Sequence, residues 1–227
     1  METRSPRAHF DAQLQDLEHD LVGMAALAER MVADGVRSLA QLDRELVEQV
    51  IGADDEMDRL ALEIETKCIR ILALQQPTAT DLRVVGSAMM IINDLERIGD
   101  YAVDVAKITR KINKAGARSD VIDLPRMADV VRGMLRDAIE AYVHRDADRI
   151  LRVCDAEDQV DGMYRELRGQ IFRHMDGEMP QHVADGWLLL AVHHVERIAD
   201  HTRNIAQRVS FIITGTLRPT IQNERSS

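Results

Sequence analysis

Apolar residues recur at intervals of three and four through most of the chain, and the breaks between such stretches fall at prolines and small polar clusters. Leu14, Leu17, Leu21, Met24, Leu27 (or Ala28) and Met31 make one stripe, which predicts an amphipathic helix over about 8–40. A short helix near 43–51 is expected next, leading into another at about 53–75 with Met57, Leu60, Ile64 and Cys68 on its apolar face. "QQPTATD" turns the chain, Thr78 or Thr80 can cap, and a helix follows from about 81 to 113. "NKAGARSD" at 113–120 reads as a linker. The pattern then restarts with "LPRMADVVRGMLRDAIEAYV" and "DADRILRVCDAEDQVDGMYREL", a turn around "DGEMPQ", and a last helix at about 183–214. Pro77, Pro125 and Pro180 fall between these stretches, while Pro6 and Pro219 sit in the tails, as long helices with few breaks require. β-Branched alternation is absent, and no Asn-Gly or Asp-Gly hairpin signal lies between alternating runs, so the predicted class is all-α.

The restart is a repeat. "NDLERIGD" at 93–100 returns as "HHVERIAD" at 193–200, and Asp43, Val47, Val50 and Asp58 return 103 positions later as Asp146, Ile150, Val153 and Asp161. The offset falls from 103 to 100 within each half, which places a three-residue length difference near the turn. Such a period predicts two homologous helical bundles in tandem, over 1–116 and 117–217, followed by a flexible tail at 218–227.

Composition narrows the function. A chain of 227 residues with 45% hydrophobic and 30% charged positions is globular, and none of its apolar runs reaches the roughly 20 residues of a membrane span. "METRSPRAHF" lacks the apolar centre of a signal peptide, and Cys68 and Cys154 belong to no motif, so a reduced, cytoplasmic protein with two small buried thiols is expected. A net charge of −10 and 3% aromatic residues argue against general nucleic-acid binding, which needs phosphate neutralisation and stacking platforms.

The repeated phrase carries the candidate chemistry. Leu95, Ile98, Ala102 and Ala106 form a core-facing stripe, and Glu96, Asp100 and Asp104 lie together beside it, with Asn93 among them. The preceding helix carries Asp54 and Asp58 at the same four-residue spacing. An antiparallel hairpin turning near Pro77 brings 58 level with about 97, and 54 with about 101, so the two acidic pairs face each other. In the second half Glu157 and Asp161 come opposite Glu196 and Asp200, with His193 and Asn204 in the places of Asn93 and Asp104. Like charges four apart cost a few tenths of a kcal/mol per pair, and four carboxylates beside a core repel more strongly unless protonated or neutralised by a cation. Hard cations take such oxygen ligands, which admits magnesium, manganese, calcium or iron, and His193 adds a nitrogen favouring iron, manganese or zinc at the second site. A solvated face, salt-bridged to Arg97 and Arg197, is the competing explanation. His194 and His201 fall off the acidic stripe and are expected at the surface, and Met89 and Met90 read as core filling. The sequence lacks a Gly-rich phosphate loop, a nucleophile elbow and a Cys-Cys metal ribbon, and it has no pair of Glu-x-x-His motifs for a di-iron oxidase.

"LQQPTATDLRVVGSAMMIINDLERIGDYAVDVA" and "WLLLAVHHVERIADHTRNIAQRVSFIITG" resemble the two signature regions of the PhoU family of phosphate-signalling regulators, and the resemblance runs from about residue 8 to 217. It implies two tandem three-helix bundles related by a pseudo-twofold axis. It implies metal clusters held by Asp54, Asp58, Glu96 and Asp100 in the first bundle and by Glu157, Asp161, Glu196 and Asp200 in the second. Asn204 replaces the third acid of Asp104, which puts equal stoichiometry in doubt unless His193 compensates. The resemblance further implies a non-enzymatic, cytoplasmic, homodimeric negative regulator of the phosphate-starvation response, reaching the membrane through its partners. Those partners would be the ATPase subunit of a phosphate ABC transporter and a phosphate-sensor histidine kinase. Residue spacing alone reaches a helical, acidic, metal-capable repeat protein, for which a phosphohydrolase using carboxylate-bridged metal ions is the alternative.

Overall fold

A computed structural model describes residues 6–116, 123–175 and 181–216, and among these the chain forms six helices and no strand. They are α1 (Pro6–Gln41), α2 (Arg44–Gln75), α3 (Ala79–Ala115), α4 (Leu124–His144), α5 (Ala147–His174) and α6 (Gln181–Thr214). Residues 117–120 of the linker, 176–180 of the turn and the tail at 218–227 lie outside the described residues.

The repeat is visible atom by atom at the first turn of each half. Leu42 and Arg145, 103 positions apart, both take left-handed backbone with φ of 54° and 53°. The next residue closes the preceding helix, Asp43 N–H donating to Ser38 C=O at 2.9 Å and Asp146 N–H to Ala141 C=O at 3.2 Å. The same aspartate then opens the following helix. Asp43 Oδ1 accepts from the N–H groups of Glu45 and Leu46, and Asp146 Oδ1 from those of Asp148 and Arg149.

Three sequence expectations need correction here. The short helix at 43–51 and the helix at 53–75 are one continuous α2, with Gly52 at an open position inside it. A mid-helix glycine costs about 1 kcal/mol, but Val47, Val50, Met57 and Ala61 bury the same face on either side and hold the helix together. Met90 is 41% exposed and Met89 only half-buried, so Met90 does not fill the core. Cys68 is buried as expected, whereas Cys154 is half-buried.

Each half is a three-helix bundle, α1–α3 and α4–α6, and the halves meet along two seams, α3 against α6 and α1 against α4. α1, α3, α6 and α4 thus enclose a central four-helix core, with α2 and α5 on opposite outer sides. One hydrophobic cluster runs through both halves, from Leu17 and Leu21 to Val209 and Ile212. Within the first bundle α1 and α3 approach closely at Gly35, where an added Cβ would stand 2.8 Å from the Ala102 carbonyl oxygen. Ser38 and Thr109 share a buried hydroxyl–hydroxyl hydrogen bond of 3.1 Å along the same seam.

Candidate metal centres

The hairpins α2–α3 and α5–α6 place the predicted acids. Residues Asp58 to Glu65 of α2 line one groove together with Met89 to Glu96 of α3, the antiparallel register expected from the turn at Pro77. One turn back along α2, Asp54 shares a depression with Asp100 and Asp104.

Burial at the hairpin edge raises the pKa of Asp54 first, and the charges of Asp58 and Asp100 raise it further. Glu96 is raised in the same order of causes, by burial and then by Asp58 and Asp100. The four carboxylates therefore share one field. Positive charge nearby is sparse: Arg97 bonds Asp100 at 2.9 Å, and Lys107 stands 3.8 Å from Asp104. Asp104 sits at the end of this group and also lends its field to His194 across the α3–α6 seam.

The second quartet is drier and better compensated. Glu157 is pushed up to about 7 by burial, with Arg203 pulling it down and Asp161 and Asp200 pushing it up. Glu196 is raised by burial and then by Asp200, while His193 and Arg197 act against the rise. Arg203 pairs with Glu157 at 2.9 Å and Arg197 with Asp200 at 2.6 Å. His193 Nδ1 lies 3.2 Å from Glu196 Oε2, a buried oxygen that receives no hydrogen bond. Arg203 was missed in the sequence because its counterpart 100 positions earlier is Val103, an apolar residue with no charge to pair.

The donor set fits a hard cation, since burial and then neighbouring carboxylates raise Asp54, Glu96 and Glu196, and buried Glu196 Oε2 has no partner besides its 3.2 Å contact with His193 Nδ1. The side chains are splayed, however. Among the described residues no three His, Cys, Asp or Glu side chains already converge to hold an ion, and Arg97 and Arg197 draw Asp100 and Asp200 outwards. The ion-paired explanation weighed for the sequence is present at Asp100, Glu157 and Asp200, which pair with Arg97, Arg203 and Arg197.

His194 and His201 are not free surface groups as expected but half-buried between the bundles. His201 Nδ1 lies 2.9 Å from Asp94 Oδ1, which also accepts from the Asn204 amide at 3.3 Å. Tyr101 packs its ring against both His194 and His201, at 5.6 and 5.7 Å between centroids. The signal for this seam was the same offset of 100, which pairs Asp94 with His194 and Tyr101 with His201. A contact between 94 and 201 mirrors one between 194 and 101, as a pseudo-twofold axis through the seam requires.

Comparison with known proteins agrees with both the repeat and the fold. The PhoU domain family matches the chain twice, over residues 21–109 and 124–209. A phosphate-specific transport system accessory protein PhoU homolog of Clostridium acetobutylicum is 33% identical over 210 residues, covering 92% of this chain and 96% of that protein. Its Pseudomonas aeruginosa namesake is also 33% identical over 210 residues, covering 91% of this chain and 86% of that one. The crystal structure of PhoU from Pseudomonas aeruginosa superposes with a TM-score of 0.86 at 33% identity, covering 91% of this chain and all (100%) of the other. The phosphate transport system regulatory protein PhoU from Streptococcus pneumoniae gives a TM-score of 0.84 at 29% identity, over 92% and 99% of the two chains.

Proposed function

This chain belongs to the PhoU family, and from that membership we propose that it is an accessory protein of a phosphate transport system acting as a negative regulator of the phosphate-starvation response. It works as an adaptor, not an enzyme, linking the ATPase subunit of the phosphate transporter to a sensor histidine kinase at the cytoplasmic face of the membrane, as a homodimer. The observation that carries the reading is the family match over both repeats, joined to full-length relatives whose names place them in phosphate transport. None of the helices among the described residues is long and apolar enough to cross a membrane, so association would run through partners.

The acidic quartets supply the mechanism of this proposal. Asp54, Asp58, Glu96 and Asp100, with Asp104 beside them, would hold a metal ion on the first hairpin; Glu157, Asp161, Glu196 and Asp200, with His193, would hold one on the second. Iron, zinc, manganese or magnesium fits a set of carboxylates with one imidazole. A bound cation supplies the positive charge that these carboxylates lack. The residues themselves do the rest: each set draws from both helices of its hairpin, so that ligation ties α2 to α3 and α5 to α6 and fixes the face those helices offer to a partner.

Deleting the gene should raise phosphate-regulon expression in phosphate-rich medium, and an unchanged reporter overturns the regulatory reading. Elemental analysis of protein purified without chelator, beside a variant carrying Asp100→Ala and Asp200→Ala, tests the metal sites. Near-stoichiometric metal lost in the variant supports them, and none in either folded protein counts against them.

A further inference from the structure

Helix α2 lies on the outside of the first bundle and, among the described residues, touches only α1 and α3, which leaves its third side without a neighbour. That side carries a stripe of its own. Leu62, Thr66, Ile69 and Ala73 recur at steps of four, three and four, and all four are exposed, Leu62 at 64% and Ile69 at 54%. Met57, Ala61, Ile64, Cys68 and Ile71 already form the face that α2 buries in the bundle, so this second stripe packs nothing within the chain. Alternating steps of four and three are the seam spacing of paired helices. From Leu62 to Ala73 the seam would run about 18 Å.

Glu63 and Arg70 flank the stripe. Seven residues apart, they stand on the same side of it, two turns from each other and opposite in sign. Glu63 pairs with Arg59 at 2.7 Å, an exposed contact worth little in water, and its carboxylate has lone pairs left for a second donor. Arg70 is exposed and, among the described residues, belongs to no ion pair of the chain.

We propose that the outer face of α2 is the surface through which two copies of this chain pair, α2 against α2, antiparallel about a twofold axis. With Thr66 facing Ile69 of the second copy, Leu62 faces its Ala73, so each facing pair sets a larger side chain on a smaller one. The same register brings Glu63 level with Arg70 of the second copy and, by symmetry, Arg70 level with its Glu63. On the other flank Glu65 comes level with Leu72, so no like charges meet. The face is thus its own complement in shape and in charge, as a twofold contact requires. Helix α5 offers a poorer version of it. The offset of 103 gives Phe172, 55% exposed, in place of Ile69, and Glu166 and Arg173 in place of Glu63 and Arg70, but it puts Arg165 where α2 has Leu62. A seam through α5 in this register would carry that cation into its uncharged line, at a cost in desolvation. A contact of α2 with α5 would also be heterologous, and unless its rotation closes a ring it propagates. This proposal rests on the reading of the chain as a homodimer and names the face that makes it.

Sedimentation velocity on the full chain over a concentration series tests it. The wild type should show a monomer–dimer equilibrium whose dissociation constant rises about tenfold or more in Ile69→Glu and stays unchanged in Phe172→Glu on α5. Glu63→Arg and Arg70→Glu should each weaken pairing, because each sets like charges level with one another. Mixed in equal amounts, those two chains should pair with each other, and Glu63→Arg/Arg70→Glu should pair with itself, since both arrangements restore opposite charges in register. All these side chains are exposed, so folding is preserved. If the wild type dimerises but the single variants dimerise equally well, or their mixture stays monomeric, the α2 face is overturned and the homodimer stands. Dissociation by Phe172→Glu would bring α5 into the contact and overturn the closed α2 pair. A wild type that is monomeric throughout the series overturns the face and the homodimer together. The accessory role in phosphate transport then stands or falls on the reporter alone.

Discussion

Glu157→Gln should make the metal-free protein more stable at pH 8 and leave it unchanged at pH 4. Glu157 is half-buried on α5, and its pKa stands at about 7 against an ordinary value of 4.5. A carboxyl whose folded pKa is raised contributes stability that is fully present below the unfolded pKa and is lost as pH rises through the folded one. The window is therefore about pH 4.5 to 7. At ~1.4 kcal/mol per pKa unit the cost of ionising this group would reach about 3 kcal/mol, and solvent screening at the hairpin edge brings it to about 1–2 kcal/mol. The glutamine keeps a carbonyl for Arg203 and removes the charge that Asp161 and Asp200 oppose. In a chain of this length the gain corresponds to a Tm about 3–6 °C above wild type at pH 8, measured by calorimetry in chelator. Adding a metal ion that the proposed site binds should reverse the order at pH 8, because ligation favours the ionised wild type. A stability difference that stays constant from pH 4 to 8, or a wild type that is the more stable at pH 8 without metal, would refute the account of a carboxylate raised by burial.

Gly35→Ala should lower stability by about 1–2 kcal/mol in urea titration, since overpacking against the Ala102 carbonyl costs about 1–3 kcal/mol and exceeds the helix propensity gained. Gly52→Ala, where nothing stands within 4 Å, should instead stabilise by up to about 1 kcal/mol. Asp43→Ala and Asp146→Ala should each cost about 1 kcal/mol and add together in the double variant, as caps in separate bundles do. Asp94→Ala removes the acceptor facing His201 and Asn204 and should cost about 1–3 kcal/mol. The same variant should speed hydrogen exchange along α3 and α6 more than along α2 and α5.

The acidic clusters were legible in the sequence because they need little tertiary knowledge. A four-residue spacing keeps Glu96 and Asp100 on one face whatever the helix packs against, and a proline between two helices sets the register that brings Asp58 opposite. The seam between bundles needed more. α3 buries residues almost all round, from Val84 and Val85 through Ile92 to Val103 and Ile108, so its periodicity names a core face but not the second face that α6 covers. His194 and His201 were therefore misplaced, although they lie in the motif that marked the site. Gly52 misled for the opposite reason, as a local breaker overridden by an apolar stripe that continues past it. Arg203 was illegible because the repeat itself, with Val103 at the matching place, argued against a charge there.

The seam that sets Asp94 beside His201 and Tyr101 beside His194 is what a dimer of half-length chains would form, each copy meeting the other through the same patch. Two identical copies must show the outside world the same face twice. Fusing them into one chain lifts that obligation while keeping the shared core, and each outer hairpin can then drift under its own pressures. Here the first hairpin has Ala61, Leu62 and Glu65 where the second has Tyr164, Arg165 and Arg168, while both keep their acidic quartets. A single chain thereby presents two dissimilar sides on one rigid body, which no symmetric pair of short chains could offer to two different neighbours.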